Sequence, residues 1–148
     1  MAKVESSVVI NAPLEDVFAC AKNIEVFPEF MPDVKSVKIL EKSDDGNHTI
    51  SEFVAIVKEF RATIKWTEDD IWDPQAHTCK FTLVKGDFKT YDGLWTFEEV
   101  SGGTNFTSVI EYEYDIPLIG PMITTLVNRK MQENVDNMLA AIKAKLER

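Results

Sequence analysis

Three tyrosines, two histidines, two cysteines and several runs of acids are the side chains here that could carry a reaction. Tyr91, Tyr112 and Tyr114 each offer a hydroxyl that can meet a carbonyl or hydroxyl of a bound molecule, or else solvent and backbone at a strand end. Tyr114 falls near a strand end and reads as solvated. Tyr91 and Tyr112 stay open between the two roles. General acid–base chemistry needs a histidine, or an acid of shifted pKa, beside the substrate. His48 and His77 both sit beside turn sequences and read as solvated loop residues. The acids of Glu68-Asp69-Asp70 and of Glu98-Glu99 fall near strand ends and read as solvated too. No Ser/His/Asp or Cys/His grouping stands out. Asp44, Asp45, Asn47 and His48 are metal-ligand types, but their spacing misses an EF-hand loop, and a hairpin turn accounts for them. Ser101-Gly102-Gly103 lacks the strand–helix setting and the lysine of a phosphate loop. The expectation is therefore no catalytic residue, no metal and no cofactor.

The elements that would position any site come next. A chain of 148 residues suffices for one domain, spanning 1–148, with a substantial core. A hydrophobic content of 45% and a charged content of 28% suit a globular protein and argue against disorder. With 16 basic and 25 acidic residues the net charge is −9. That disfavours nucleic acid and anionic lipid surfaces, which need clustered Lys and Arg. Cys20 and Cys79 lie outside any CxxC or Cys/His pattern. They read as buried free thiols in a reducing cytoplasm, with a disulfide as the lesser alternative. The start, Met1 to Glu5, carries an early acid and no apolar core, so no secretory signal is expected. No run of apolar residues is long enough to span a bilayer, so no integral membrane association is expected.

Turn signals recur at Asp44-Asp45-Gly46-Asn47, Lys58-Glu59, Asp73-Pro74-Gln75, Lys85-Gly86-Asp87 and Ser101-Gly102-Gly103. They separate extended segments at 34–42, 47–57, 60–72, 78–85, 89–99 and 104–115. A strand at 3–10 precedes them. Short connections imply antiparallel neighbours. Within the segments the apolar residues alternate: Phe60, Ala62, Ile64 and Trp66; then Cys79, Phe81 and Leu83; then Tyr91, Gly93, Trp95 and Phe97; then Phe106, Ser108, Ile110 and Tyr112. A period of two puts each set on one face, so the sheet has a wet face and an aromatic-rich dry face. The segment 47–57 is ambiguous, because Ile50, Val54 and Ile56 compete with Phe53, Ala55 and Val57. Arg61 and Lys65 fall on the wet side. Gly93 lies between Tyr91 and Trp95, where it permits a bend or leaves room for a ligand.

From Ile119 to Leu146 apolar residues recur at spacings of three and four, which predicts one long helix. Pro121 suits its start, and Lys143, Lys145 and Arg148 complement its C-terminal dipole. Some twenty-five residues make a rod of roughly 37 Å. With a single apolar stripe it must lie across the dry face. Between the first two strands, Pro13 opens a short helix whose apolar face is Leu14, Val17, Phe18 and Ala21. A second turn at Phe27–Met31 follows. On these patterns alone the ring-rich dry face reads as ordinary core packing.

The stretch "VVINAPLEDVFACAKNIEVFPEFMPDVKSVKIL", the hairpin "YDGLWTFEEVSGGTNFTSVIEYEY" and the terminal "LVNRKMQENVDNMLAAIKAKL", in this order, resemble the helix-grip proteins. These are the START or Bet v 1-like superfamily, and the likeness is to its polyketide cyclase/dehydrase and coenzyme Q-binding group. Phe27 stands where that group often has tyrosine. The resemblance covers the whole chain. It implies an α+β fold: a seven-stranded curved antiparallel sheet wrapped around the C-terminal helix, with two short helices after the first strand. It also implies a cavity between sheet and helix, which relatives use for sterols, lipids, quinones or polyketides. On that basis Phe30, Ile64, Trp66, Phe81, Tyr91, Trp95, Tyr112, Met122, Leu126 and Met131 are expected to line a ligand site. The bent stretch after the first strand and the Ile116–Pro121 loop would gate it, and Arg61 is a candidate for its mouth. The expected partner is a hydrophobic small molecule, bound by a monomer or dimer. Two alternatives stand beside this. One is a cyclase or aromatase acting on a polyketide-like substrate, against which the dry face counts as poor in polar groups. The other is a ribosome- or protein-associating regulator of the same fold.

Overall fold

The computed structural model describes residues 2–57, 62–114 and 121–147, and for Ala62 and residues 121–124 the backbone alone. The expected turn at Lys58-Glu59, Arg61 and most of the Ile116–Pro121 loop lie outside the described residues.

Seven strands form one sheet: β1 Ala2–Ile10, β2 Val34–Lys42, β3 His48–Val57, β4 Ala62–Asp73, β5 Thr78–Gly86, β6 Phe88–Val100 and β7 Gly103–Tyr114. The spatial order is β1-β7-β6-β5-β4-β3-β2. Every neighbouring pair is antiparallel. The short turns of the sequence join neighbours, as expected of hairpins. β1 and β2 are consecutive in sequence yet occupy opposite edges. The segment between them must therefore cross the whole open side of the sheet. That is why it is bent and apolar: α1 (Leu14–Lys22), a turn of 3-10 helix (Ile24–Val26) and α2 (Phe27–Phe30) make the crossing in steps. Pro13 caps α1 in an extended conformation, and Val17, Phe18 and Ala21 turn inward. The Phe18 ring meets Trp72, Phe97 and His77 edge-on at 5.3–5.7 Å.

The long helix α3 (Pro121–Leu146) lies across the inner face and buries Val127, Val135, Leu139 and Ile142. This is the helix-grip arrangement. α3 also covers the exposed edge of β1, since Gln132 Nε2 and Lys143 Nζ donate to the carbonyls of Glu5 and Val9, each at 2.8 Å. Covering an edge in this way removes a template for strand pairing. The dry face is as the alternation predicts on β4 to β7. In β3, Thr49, Ser51, Phe53 and Val57 are buried, whereas Ile50, Val54 and Ile56 are half-buried, which resolves the ambiguous pattern. No described helix is long and apolar enough to cross a membrane.

Candidate functional site

Between sheet and α3 lies a cavity lined from both layers. The strands contribute Phe53, Trp66, Trp72, Phe81, Tyr91 and Trp95, and α3 contributes Met131, Val135 and Met138. Its atom-free space, mouth included, is about 840 Å³, of which about 70 Å³ admits the centre of a water molecule. The half-buried Asp33, Val54, Ala55, Met131 and Asn134 mark its open side. The rings pack on one another. Trp66 stacks on its cross-strand partner Phe53 at 5.3 Å and tilts against Tyr91 at the same distance. Trp95 meets Trp72 and Phe81 edge-on at 6.0 and 5.8 Å. Above Gly93 there is no free space, because the Phe81 ring occupies it: a Cβ there would lie 2.1 Å from two ring atoms. Gly93 thus makes room for a ring of this chain.

The closed end of the cavity is polar. Glu68 and Asp70 follow Trp66 on the inner face of β4, and they are 5% and 2% exposed. This corrects the expectation that these acids are solvated. They lie mid-strand, on the inward side, and the strand continues to Asp73. Across the β3–β4 ladder Ser51 faces Glu68 and Thr49 faces Asp70. Thr49 Oγ1 donates to Asp70 Oδ2 at 3.0 Å, and Ser51 Oγ donates to the same oxygen. Trp66 Nε1 donates to Glu68 Oε1 at 2.7 Å. On the other side, the β4–β5 register shifts beside Glu68, leaving Val84 as an extra residue of β5. Bulges of this kind re-aim side chains.

Burial pushes the Glu68 carboxyl well above the usual carboxylate range, and the charge of Asp70 and its hydrogen bond add to the rise. Burial raises Asp70 as well, but its bonds to Glu68, Ser51 and Thr49 oppose the shift. Glu68 is thus the more readily protonated of the two, and its carboxyl bonds to that of Asp70. Tyr91 is 6% exposed and lines the cavity, and its hydroxyl has no hydrogen-bond partner among the described residues. Burial and then the charges of Glu68 and Asp70 raise its pKa well above the ordinary phenol value. Burial likewise drives the Cys79 thiol far up, so it is inert. Trp95 Nε1 donates to Ser108 Oγ at 3.1 Å, which settles the one buried hydroxyl of β7 that reaches the cavity wall.

Residues 10–139 match the family described as polyketide cyclase/dehydrase and lipid transport. The chain belongs to that family. Among solved structures, a protein from Thermus thermophilus is 30% identical with a TM-score of 0.90, over 98% of this chain and 97% of that one. An aromatase/cyclase from a Streptomyces species is 16% identical with a TM-score of 0.88, over 99% and 94%. A STAR-related lipid transfer protein from Xanthomonas axonopodis is 17% identical with a TM-score of 0.78, over 97% and 85%. These last two share the fold of this polyketide cyclase/dehydrase and lipid transport family member.

Of the residues expected at a ligand site in this family member, Trp66, Phe81, Tyr91, Trp95 and Met131 stand on the cavity wall. The side chain of Met122 lies outside the described residues. Phe30, Ile64, Tyr112 and Leu126 are off the described wall. Phe30 packs on Phe27 at 6.0 Å, with Lys145 Nζ 4.7 Å above its ring. Ile64 is buried nearer the start of β4, and Leu126 is half-buried on α3. The Tyr112 hydroxyl donates to Asn128 Oδ1 at 3.0 Å, and burial pushes its pKa up to about 12. Sequence reasoning missed Glu68, Asp70 and Trp72. The signal was present: the inward parity of Ile64 and Trp66 continues through positions 68, 70 and 72. His48 and His77 stay at the periphery, bound to Asp69 and Glu15 at 3.0 and 2.7 Å.

Proposed function

We propose that this chain binds a hydrophobic small molecule, such as a lipid, quinone or polyketide-like compound, between the sheet and α3. The observation that carries the reading is the ring-lined cavity. A water needs about 10–15 Å³ of such centre-accessible space, so the roughly 70 Å³ present is several waters' worth in a mostly apolar setting. Water there forgoes hydrogen bonds, and a guest that replaces it gains about 25 cal/mol per Å² of apolar surface buried. Met131 and Met138, unbranched and adaptable, let the wall yield to a guest larger than the resting space. Membership of a family described by lipid transport and polyketide cyclisation supports the reading. So do the free thiols Cys20 and Cys79, which suit a cytoplasmic carrier.

Native mass spectrometry of gently purified protein, followed by extraction with organic solvent, tests the proposal. The expected result is a reproducible adduct, and a rise in melting temperature with members of a lipid and quinone panel. A bare protein mass with no rise across the panel contradicts it.

One observation favours a second reading, an enzyme of the cyclase type. The Glu68 and Asp70 carboxyls and the Tyr91 hydroxyl stand together on the wall of the cavity. Such a set can give a proton to a substrate carbonyl and take one from the adjacent carbon. Turnover of a poly-β-ketone that survives both Glu68→Gln and Tyr91→Phe unchanged removes these residues from any such reaction.

A further inference from the structure

The charge of the cavity is one-sided. Its described lining carries three carboxyls, on Asp33, Glu68 and Asp70, and no Lys, Arg or His. Asp33 accepts a bond from Asn137 Nδ2 at 2.9 Å near the mouth. Lys22, a half-buried cation on α1, is held by Asn47 Oδ1 at 2.5 Å and stands off the lining. The Glu68–Asp70 carboxyl pair is thus buried with no cation among the described lining residues. Buried charges are costly unless paired, and three hydroxyl and indole donors reduce that cost without cancelling the charge.

A second, independent feature points the same way. Tyr91 turns an oxygen without a partner among the described residues into the same end of the cavity. Trp66, Trp72, Phe81 and Trp95 line the same cavity, and the Trp66 and Phe81 rings lie against Tyr91 at 5.3 and 5.8 Å. Aromatic faces attract cations, most strongly where water is excluded. Carboxylate, phenol oxygen and aromatic wall together match the three N–H donors and the charge of an ammonium group.

We propose that the closed end of the cavity recognises the cationic nitrogen of a hydrophobic amine, held by the Glu68–Asp70 pair and Tyr91, with its apolar part along the rings towards α3. This rests on the cavity binding a hydrophobic molecule and names the class of that molecule.

The test compares three probes of matched length, n-octylamine, n-octanol and octanoate, by isothermal titration calorimetry near neutral pH, where the amine is charged. The inference predicts that octylamine binds about tenfold or more tighter than octanol, and octanoate weakest. It predicts that the double variant Glu68→Gln/Asp70→Asn binds octylamine and octanol equally. Equal affinity for amine and alcohol in the unaltered protein overturns the amine inference while the cavity reading stands. So does a preference for octanoate, or an amine preference that persists in the double variant. If none of the three binds, the cavity reading falls and the amine inference with it. The unaltered protein alone decides the matter if the double variant does not fold.

Discussion

Trp66 and Glu68 stand two residues apart on the inner face of β4, and the indole Nε1 of the first donates to Oε1 of the second at 2.7 Å. The bond fixes which oxygen of Glu68 accepts and leaves the other for the bond to Asp70. A glutamine reproduces that pattern, with its carbonyl towards Trp66 and its amide towards Asp70. Glu68 has a folded pKa above its unfolded value. Folding then takes up a proton at pH values between the unfolded value of about 4.3 and the folded pKa, so stability falls as the pH rises through that window. Glu68→Gln removes this loss. Its melting temperature should exceed that of the parent at about pH 8, by about 2–4 °C per kcal/mol relieved, and the gap should close as the pH falls towards about 4. Thermal melts at several pH values check this. A gap that does not change with pH means that Glu68 is ionised in the folded protein.

Asp70 depends on donors from β3. Ser51 is fully buried, and Ser51→Ala leaves the carboxylate short of one charge-assisted bond. The expected cost is about 1–3 kcal/mol in urea unfolding. Combined with Asp70→Asn, the loss should be smaller than the sum, because both changes act on one bond. Strict additivity would mean that Ser51 supports something other than Asp70.

Gly93 and Phe81 face one another across β5 and β6. Gly93→Ala drives a methyl group into the Phe81 ring and should destabilise by about 1–3 kcal/mol. In a Phe81→Ala background the same change should cost much less. Chemical denaturation of the four proteins of this cycle measures the coupling. If Gly93→Ala costs the same in both backgrounds, the ring is not what makes glycine necessary.

The two thiols differ in burial. Cys79 is 1% exposed with a strongly raised pKa, whereas Cys20 on α1 is half-buried. A disulfide reagent in mild alkali should therefore reach Cys20 in the folded protein and Cys79 only after denaturant is added. Mapping the labelled peptides checks it. Labelling of Cys79 without denaturant would indicate that the cavity opens far more often than the packed rings imply.

Strand positions, turn residues and the long helix were legible in the sequence because each rests on a local pattern. The alternation of Tyr91, Trp95 and Phe97, or the spacing of Val135, Leu139 and Ile142, reports a face without knowledge of its partner. The order β1-β7-β6-β5-β4-β3-β2 is not local: only the resemblance to known proteins supplied the curved sheet. The site was half legible. The rings Trp66, Phe81, Tyr91 and Trp95 follow from parity. Glu68 and Asp70 were read by residue type, and type favours solvent, so parity lost to composition. What reverses the reading is the facing pair Thr49 and Ser51 on β3, a cross-strand relationship that a single strand's pattern does not contain. Phe30, Ile64, Tyr112 and Leu126 share the apolar interior with the cavity residues. Hydrophobicity alone does not separate a wall from a packed interior.

All three tryptophans of the chain, Trp66, Trp72 and Trp95, line the cavity, so the protein's indole emission reports on that space. The most direct test of the central claim is to titrate the protein with a brominated alkyl chain, which quenches indoles on contact. The account predicts quenching that saturates and is reversed by the unbrominated twin. Quenching that rises in proportion to concentration without saturating, and that the twin does not displace, would contradict it.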